Sequence, residues 1–222
     1  AGLPSGAAQD YYQWGLSEDG VSINQSEYIT EVFTELAMGW LNSQEKPWFL
    51  WLAYTAPHTP FHVPPAGTHQ QGDLPDYVQG MDPMPYYMAA IESMDFQIGR
   101  LLDSIPESER SNTIVIFIGD NGTPGQVAQS PYSAQTAKGS LYQGGINTPL
   151  FVSGMNVTRT GVLDESLVTS TDLFATIAEL AGVPITPVND SRSIKSLFTT
   201  SGNHSEFQYS DSRRGDSDEW AI

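Results

Sequence analysis

Three places in the chain set hard oxygen or cationic groups beside backbone that can bend around a ligand. The first is Gly119-Asp120-Asn121-Gly122, where a carboxylate and an amide oxygen stand between two glycines. Oxygen donors of this kind suit Ca2+ or Mg2+, and the glycines allow close approach of the main chain. Two oxygens do not fill a calcium shell, and the same four residues also make an ordinary turn after a strand. The second is Lys138-Gly139-Ser140, whose ammonium would act as a compact point charge toward bound sulfate or phosphate. Lys138 is the only Lys or Arg between Arg110 and Arg159, although one exposed loop lysine would read the same way. The third is His58, in Thr55-Ala-Pro-His58. An imidazole there could give a proton to a leaving group or a hydrogen bond to an anionic ester oxygen, and a structural histidine is the plainer alternative. His62 and His69 lie deeper in the following loop, and His204 is remote in sequence; all three are weaker candidates.

The elements around these residues alternate. Tyr28, Ile29, Val32, Phe33, Leu36, Ala37, Trp40 and Leu41 recur at helical spacing, and Pro47 stops the pattern. Trp48 to Tyr54 is a continuous apolar run of strand length, expected to be covered on both faces and to end at His58. Residues 59–83, rich in Pro and Gly and without periodicity, predict a long functional or mobile loop beside it. Met84, Tyr87, Met88, Ile91, Met94, Ile98, Leu101, Leu102 and Ile105 predict a second helix ended by Pro106. A second strand, 113–118, runs directly into Asp120, and Pro149 to Ser153 predicts a third. A third helix is expected over 172–181, with Leu173, Phe174, Ile177 and Leu180 inward and Gly182 and Pro184 closing it. Residues 1–25 read as an irregular segment, 26–184 as the α/β core, and 185–222 as a polar tail or the start of a carboxy-terminal subdomain. The expected class is α/β, a mainly parallel sheet sandwiched by helices in one partial domain spanning 1–222. In such sheets ligands bind beyond the carboxyl ends of the strands, where both His58 and Asp120 fall.

Composition narrows the partners. With 9 basic and 26 acidic residues, the net charge of −17 repels phosphate backbones, so nucleic acid is not an expected partner. No apolar run reaches the roughly 18 residues of a membrane span. The absence of cysteine excludes disulfides, thiolate metal sites and a cysteine nucleophile within these 222 residues. Ala1-Gly2-Leu3-Pro4 has neither an initiator Met nor a signal-peptide pattern, so an upstream part of the protein is expected. Asn24, Asn156, Asn189 and Asn203 each begin a glycosylation-type triplet, a pattern that also arises by chance.

Taken in order, the pieces resemble the sulfatase family of the alkaline-phosphatase-like superfamily. Trp48 to Pro60 is similar to its "P-F-F-L-Y-L-A-Y-x-A-P-H-x-P" stretch, and Tyr87 to Asp95 with Gly99-Arg-Leu-Leu102 to its "Y-x-A-x-I-x-x-x-D…G-x-L-L" helix. Asn112 to Gly122 resembles "N-T-x-V-I-F-x-S-D-N-G", Lys138 to Leu150 "K-G-x-x-x-E-G-G-x-R-x-P-L", and Asp190-Ser-Arg-Ser193 "D-G-x-S-L". The resemblance covers about Tyr28 to Ala181. It implies a sulfuric ester hydrolase of alkaline-phosphatase-like fold, incomplete at its amino terminus. Asp120 and Asn121 would be ligands of Ca2+, with Mg2+ the lesser expectation, and His58 and Lys138 would contact the sulfate group and leaving oxygen as catalytic and substrate-binding residues. The partner would be a small-molecule or glycan sulfate ester, in a periplasmic, secreted or lysosomal setting.

Departures from the pattern bear on activity. The family nucleophile, a formylglycine made from the Cys or Ser of "C/S-x-P-S-R", and an Asp-Asp pair that completes the metal site lie upstream of the matched motifs; neither occurs here, and Ser5 and Ser130 lack the motif's Arg. The missing amino-terminal half would therefore be a partner of this chain. Gln143 stands where the family has an acid, and Asn147 where it has Arg. Two alternatives follow: a phosphonate or phosphodiester hydrolase of the same superfamily, and a non-catalytic module binding sulfated glycan or calcium. Tyr77 and His62 are candidates for contact with a sugar ring.

Overall fold

The computed structural model describes residues 10–184, 186, 189–214 and 217–222. The chain divides into two compact units, Ala1–Arg110 and Ser111–Ile222.

The first unit begins with an antiparallel hairpin, β1 (Trp14–Glu18) and β2 (Val21–Gln25), with Trp14 opposite Gln25 and Glu18 opposite Val21. Its two turn residues, Asp19 and Gly20, have φ of 48° and 81°, the left-handed pair a tight hairpin demands. The irregular segment expected over 1–25 is thus corrected over 14–25: Asp-Gly between two short runs is a hairpin signal. Residues 1–9 lie outside the described residues.

Helices α1 (Ile29–Asn42) and α2 (Met84–Ser104) form where the periodicity predicts them. Their buried faces are rotated from the expected stripes. Helix α1 buries Thr30, Thr34, Ala37 and Leu41, and α2 buries Tyr86, Ala89, Ala90, Ser93, Met94, Gln97 and Leu101, while Leu36, Trp40 and Met88 are exposed. Hydrogen bonds accompany the burial of Thr34, Ser93 and Gln97 Oε1, whereas Thr30 Oγ1 and Gln97 Nε2 are buried without one. The Thr34 hydroxyl donates to the Thr30 carbonyl at 2.9 Å, which leaves the Tyr54 hydroxyl, 2.8 Å away, to donate to it. Arg100 donates to Gln97 Oε1 at 2.8 Å and to Glu31 at 3.2 Å, tying α2 to α1. The apolar end of this layer is Ala37, Leu41, Leu101 and Ile105, with Trp48, Leu50 and Leu52 packed against it.

Residues 48–54 differ from expectation. The segment joins no ladder among the described residues, and its exposure alternates: Trp48, Leu50, Leu52 and Tyr54 are half-buried, whereas Phe49 (59%) and Trp51 (65%) stand in the open. One face is covered, not two. A short helix, α3 (Glu107–Arg110), closes the unit.

In the second unit β3 (Ile114–Ile118) pairs antiparallel with β4 (Leu150–Gly154), Ile114 opposite Gly154 and Ile118 opposite Leu150. Between them lie long turns and the single-turn α4 (Gln143–Ile146). Helix α5 (Asp172–Leu180) buries Asp172, Leu173, Ala175 and Thr176 and exposes Phe174, again a rotation from the apolar stripe. Gly182, at φ 70°, ends it as expected, with the Val183 N–H returning to the Ala178 carbonyl. The tail folds back on α5. Ser191 Oγ donates to the Thr171 carbonyl at 2.7 Å, the Arg192 N–H donates to Asp172 Oδ1 at 3.0 Å, and the Ile194 N–H to Thr176 Oγ1 at 3.0 Å. Within the stretch expected to be a polar tail or the start of a carboxy-terminal subdomain, β5 (Ser210–Arg214) and β6 (Ser217–Ala221) form a hairpin. Ile185, Pro187, Val188, Gly215 and Asp216 lie outside the described residues.

Among the described residues all three sheets are two-stranded and antiparallel, so the mainly parallel sheet expected from the alternation of elements is not formed within them. The physical reason is local. The chain runs from β3 to β4 through turns rather than through a crossover helix, and such a path returns antiparallel.

Candidate active site

In the second unit the backbone leaves β3 at Gly119, whose N–H donates to the Pro149 carbonyl at 2.9 Å, and passes through Asp120 and Asn121. The Gly122 N–H then donates to the Gly145 carbonyl at 3.0 Å, and the Lys138 N–H donates to the Thr123 carbonyl at 2.9 Å. The strand end bearing Asp120 and Asn121 is therefore stitched to the turn bearing Lys138. Three glycines make this possible. A Cβ on Gly122 would sit 2.0 Å from the Gly144 carbonyl oxygen, one on Gly144 2.5 Å from that of Thr136, and one on Gly145 2.1 Å from that of Ser140. Glycine is required here for close approach, since these positions do not have the left-handed φ that would require it for torsional reasons.

Asp120 is exposed, while Asn121 and Lys138 are half-buried. Two hard oxygens at a strand end suit Ca2+ in kind but not in number. Among the described residues no group of three or more His, Cys, Asp or Glu side chains is gathered to hold an ion. Gln143 and Asn147 are exposed, and the Asn147 N–H donates to the Gln143 carbonyl at 2.9 Å, so backbone bonding closes this turn.

His58 stands in the first unit, exposed, directly after the extended 48–54 segment. Its Nδ1 is 2.7 Å from the Thr59 carbonyl. A carbonyl can only accept, so Nδ1 carries the proton and Nε2 is the atom left to face a substrate. The loop after it is pinned rather than loose. Tyr11 Oη donates to the His58 carbonyl (2.7 Å), Tyr12 Oη to Val63 (2.8 Å), Thr68 Oγ1 to Pro65 (2.7 Å) and Tyr86 Oη to Pro75 (2.9 Å). Glu92 on α2 accepts from the Gln70 N–H and from Gln71 Nε2.

The weaker histidine candidates separate. His62 stacks on Tyr11 with ring centroids 3.6 Å apart, and burial pushes its pKa below the usual value. His69 Nδ1 accepts the Gln71 N–H at 3.3 Å. The His204 side chain, in the second unit, is largely covered, with Nε2 3.2 Å from Asp172 Oδ2 but without hydrogen-bond alignment. Tyr77 packs edge-on to Phe61 and Tyr86, so its ring is committed to the loop's own packing. Sequence reasoning passed over Tyr11, Tyr12 and Tyr28. The available signal was the density of prolines in the loop, whose missing N–H groups rule out an ordinary backbone ladder.

The sulfatase family pattern matches residues 5–183, and the chain belongs to the sulfatase family. It is 26% identical to an arylsulfatase of Klebsiella aerogenes over 82% of this chain and 57% of that protein. Its fold matches that of Ps i-CgsB in complex with k-i-k-neocarrahexaose, with a TM-score of 0.76 and 24% identity over 93% of this chain and 46% of that one. It also matches a protein solved in complex with its substrate D-glucosamine-2-N,6-O-disulfate, with a TM-score of 0.73 and 16% identity over 96% of this chain and 62% of that one. The fold is therefore that of the alkaline-phosphatase-like sulfatases. The chain spans little more than half the length of the arylsulfatase it matches.

Proposed function

We propose that this chain is the carboxy-terminal part of a sulfatase catalytic domain and supplies one side of a sulfate-ester hydrolase site. The observation that carries the reading is the docking of the Asp120-Asn121 strand end onto the Lys138 turn by two backbone hydrogen bonds and three glycines. Asp120 and Asn121 would hold a divalent cation, preferably Ca2+, whose chemistry when bound is Lewis-acid polarisation of the sulfate oxygens. Lys138 would bind and orient the sulfate and stabilise negative charge that grows as the ester bond breaks. His58, its Nδ1–H held by the Thr59 carbonyl, would present Nε2 to the leaving oxygen and, in the doubly protonated ring, deliver the Nε2 proton there, returning to the Nδ1–H tautomer. The remaining acidic ligands and the formylglycine nucleophile would come from an upstream half of the same domain.

Exposed Phe49 and Trp51 support that last point: an extended apolar segment with one bare face suits further strands completing a mainly parallel sheet. The substrate class is a sulfate ester of a small molecule or glycan, as the disulfated sugar held by one fold relative suggests.

The test is turnover of 4-nitrophenyl sulfate and 4-nitrophenyl phosphate by the full-length parent. Sulfate preference is expected, with losses on the order of 100-fold to 1,000-fold in kcat for Asp120→Ala and Lys138→Ala. Chelation should abolish turnover, and Ca2+ should restore it better than Mg2+. Phosphate preference would move the protein to the phosphodiester or phosphonate hydrolases, and a parent without turnover that still binds sulfated glycan would make it a binding module.

A further inference from the structure

The loop after His58 has an unusual hydrogen-bonding problem. Pro57, Pro60, Pro64 and Pro65 have no N–H, so the local backbone has few donors for its own carbonyls. Side chains supply them instead. The carbonyl of residue 58 accepts from Tyr11, that of 59 from the His58 ring, that of 60 from the His62 ring and that of 63 from Tyr12, at 2.7, 2.7, 3.0 and 2.8 Å. The Pro60 carbonyl can only accept, so His62 Nδ1 bears a proton; Nε2 of the neutral ring then accepts from the Tyr28 hydroxyl at 3.1 Å. The rings pack as one body: His62 stacks on Tyr11, tilts against Tyr28 at 5.6 Å and meets Tyr12 edge-on at 6.5 Å. Tyr11 and Tyr28 are each 2% exposed.

We propose that Tyr11 and His62, braced by Tyr28, are positioning residues for His58, fixing the backbone on both sides of Thr59 so that Nε2 of His58 is aimed at the leaving oxygen. The proposal rests on the assignment of His58 as proton donor to the leaving group. Burial keeps the assembly in its working protonation state, lowering His62 and raising the hydroxyls of Tyr11 and Tyr28; Tyr12 and Asp10 are the other titratable groups near the His62 ring. A neutral His62 both donates and accepts, which an imidazolium cannot do.

The experiment compares two substrates with the full-length parent: 4-nitrophenyl sulfate, whose leaving group departs without a proton, and phenyl sulfate, whose leaving group needs one. Tyr11→Phe deletes a single hydroxyl and keeps the ring stack. It should lower kcat on phenyl sulfate about tenfold and on 4-nitrophenyl sulfate by no more than about twofold, with KM unchanged, because a small misplacement of a catalytic group costs rate rather than binding. His62→Asn keeps an N–H near the Pro60 carbonyl and should retain more of the phenyl sulfate rate than His62→Leu, which removes it. Equal losses on both substrates, or no loss on either, would show that these residues merely hold the fold. His58→Ala separates the two levels of inference. If it discriminates between the substrates and Tyr11→Phe does not, the positioning role is wrong; if it fails to discriminate, the proton-donor assignment is wrong and the positioning role falls with it.

Discussion

The two units fix their candidate functional groups by opposite means. In the first, side chains do it: hydroxyls of Tyr11, Tyr12, Thr68 and Tyr86 fill the carbonyls of a loop short of N–H donors. In the second, backbone docks on backbone, and Gly122, Gly144 and Gly145 leave no room for a Cβ between Asp120 and the Lys138 turn. A side-chain network loses one bond at a time and degrades gradually. A backbone contact without side chains has no such intermediate, because one added methyl group pushes both segments apart.

That contrast can be broken by substitution. Gly122→Ala should have the largest effect, a destabilisation of about 3 kcal/mol or more, since its Cβ would meet a carbonyl oxygen rather than a yielding side chain. Urea unfolding of the parent would read it, and an unchanged midpoint would sink the docking argument. Asp172→Ala in the same unit tests a place where a buried side chain holds backbone. It strips the Thr169 and Arg192 N–H groups of their shared acceptor, for an expected loss of about 3 kcal/mol. In the first unit, Tyr54→Phe removes the donor to Thr34 and should cost only about 1 kcal/mol in the same measurement. A loss as large as that of Gly122→Ala would mean that the side-chain network is as brittle as the glycine contact.

The smallest effect concerns acid. Asp164, paired with Arg159 and accepting the Ser166 N–H, has its pKa held down to about 2, with the Ser166 and Arg159 hydrogen bonds as the main causes. A depressed carboxyl contributes stability that is fully present above its unfolded pKa near 4 and is lost as pH falls through about 2. Asp164→Asn should therefore flatten the stability profile between about pH 4 and 2, lowering stability near neutrality by this contribution and leaving it unchanged below about pH 2. The size is that of a partly exposed pair, below about 1 kcal/mol. His62 gives the corresponding trend in the first unit. Its lowered pKa makes the folded state favour the neutral ring, so this contribution is present above the unfolded value near 6.5 and is lost as pH falls through the folded one.

Much was legible before any coordinates. The helices at 29–42 and 84–104 lie where apolar spacing puts them, because a 3.6-residue period survives even when individual positions are misassigned. The individual positions were less secure. The expected stripes favoured Leu36, Trp40 and Phe174, and the interior instead took Thr30, Thr34, Ser93, Gln97 and Thr176, with hydrogen bonds accompanying the burial of the Thr34, Ser93 and Thr176 hydroxyls. The hairpin at 14–25 was readable from Asp19-Gly20 and was passed over.

For the candidate site, the sequence by itself determined the reactive residue types. Asp120, Asn121, Lys138 and His58 stand out as candidates because unusual chemistry beside glycine or proline is a local property of the chain. Only the tertiary structure decided what surrounds them. That Gly122 meets Gly144 and Gly145, and that Tyr11 reaches the carbonyl of a residue 47 positions away, depends on contacts between segments distant in sequence, and no periodicity or composition along one segment encodes its partner.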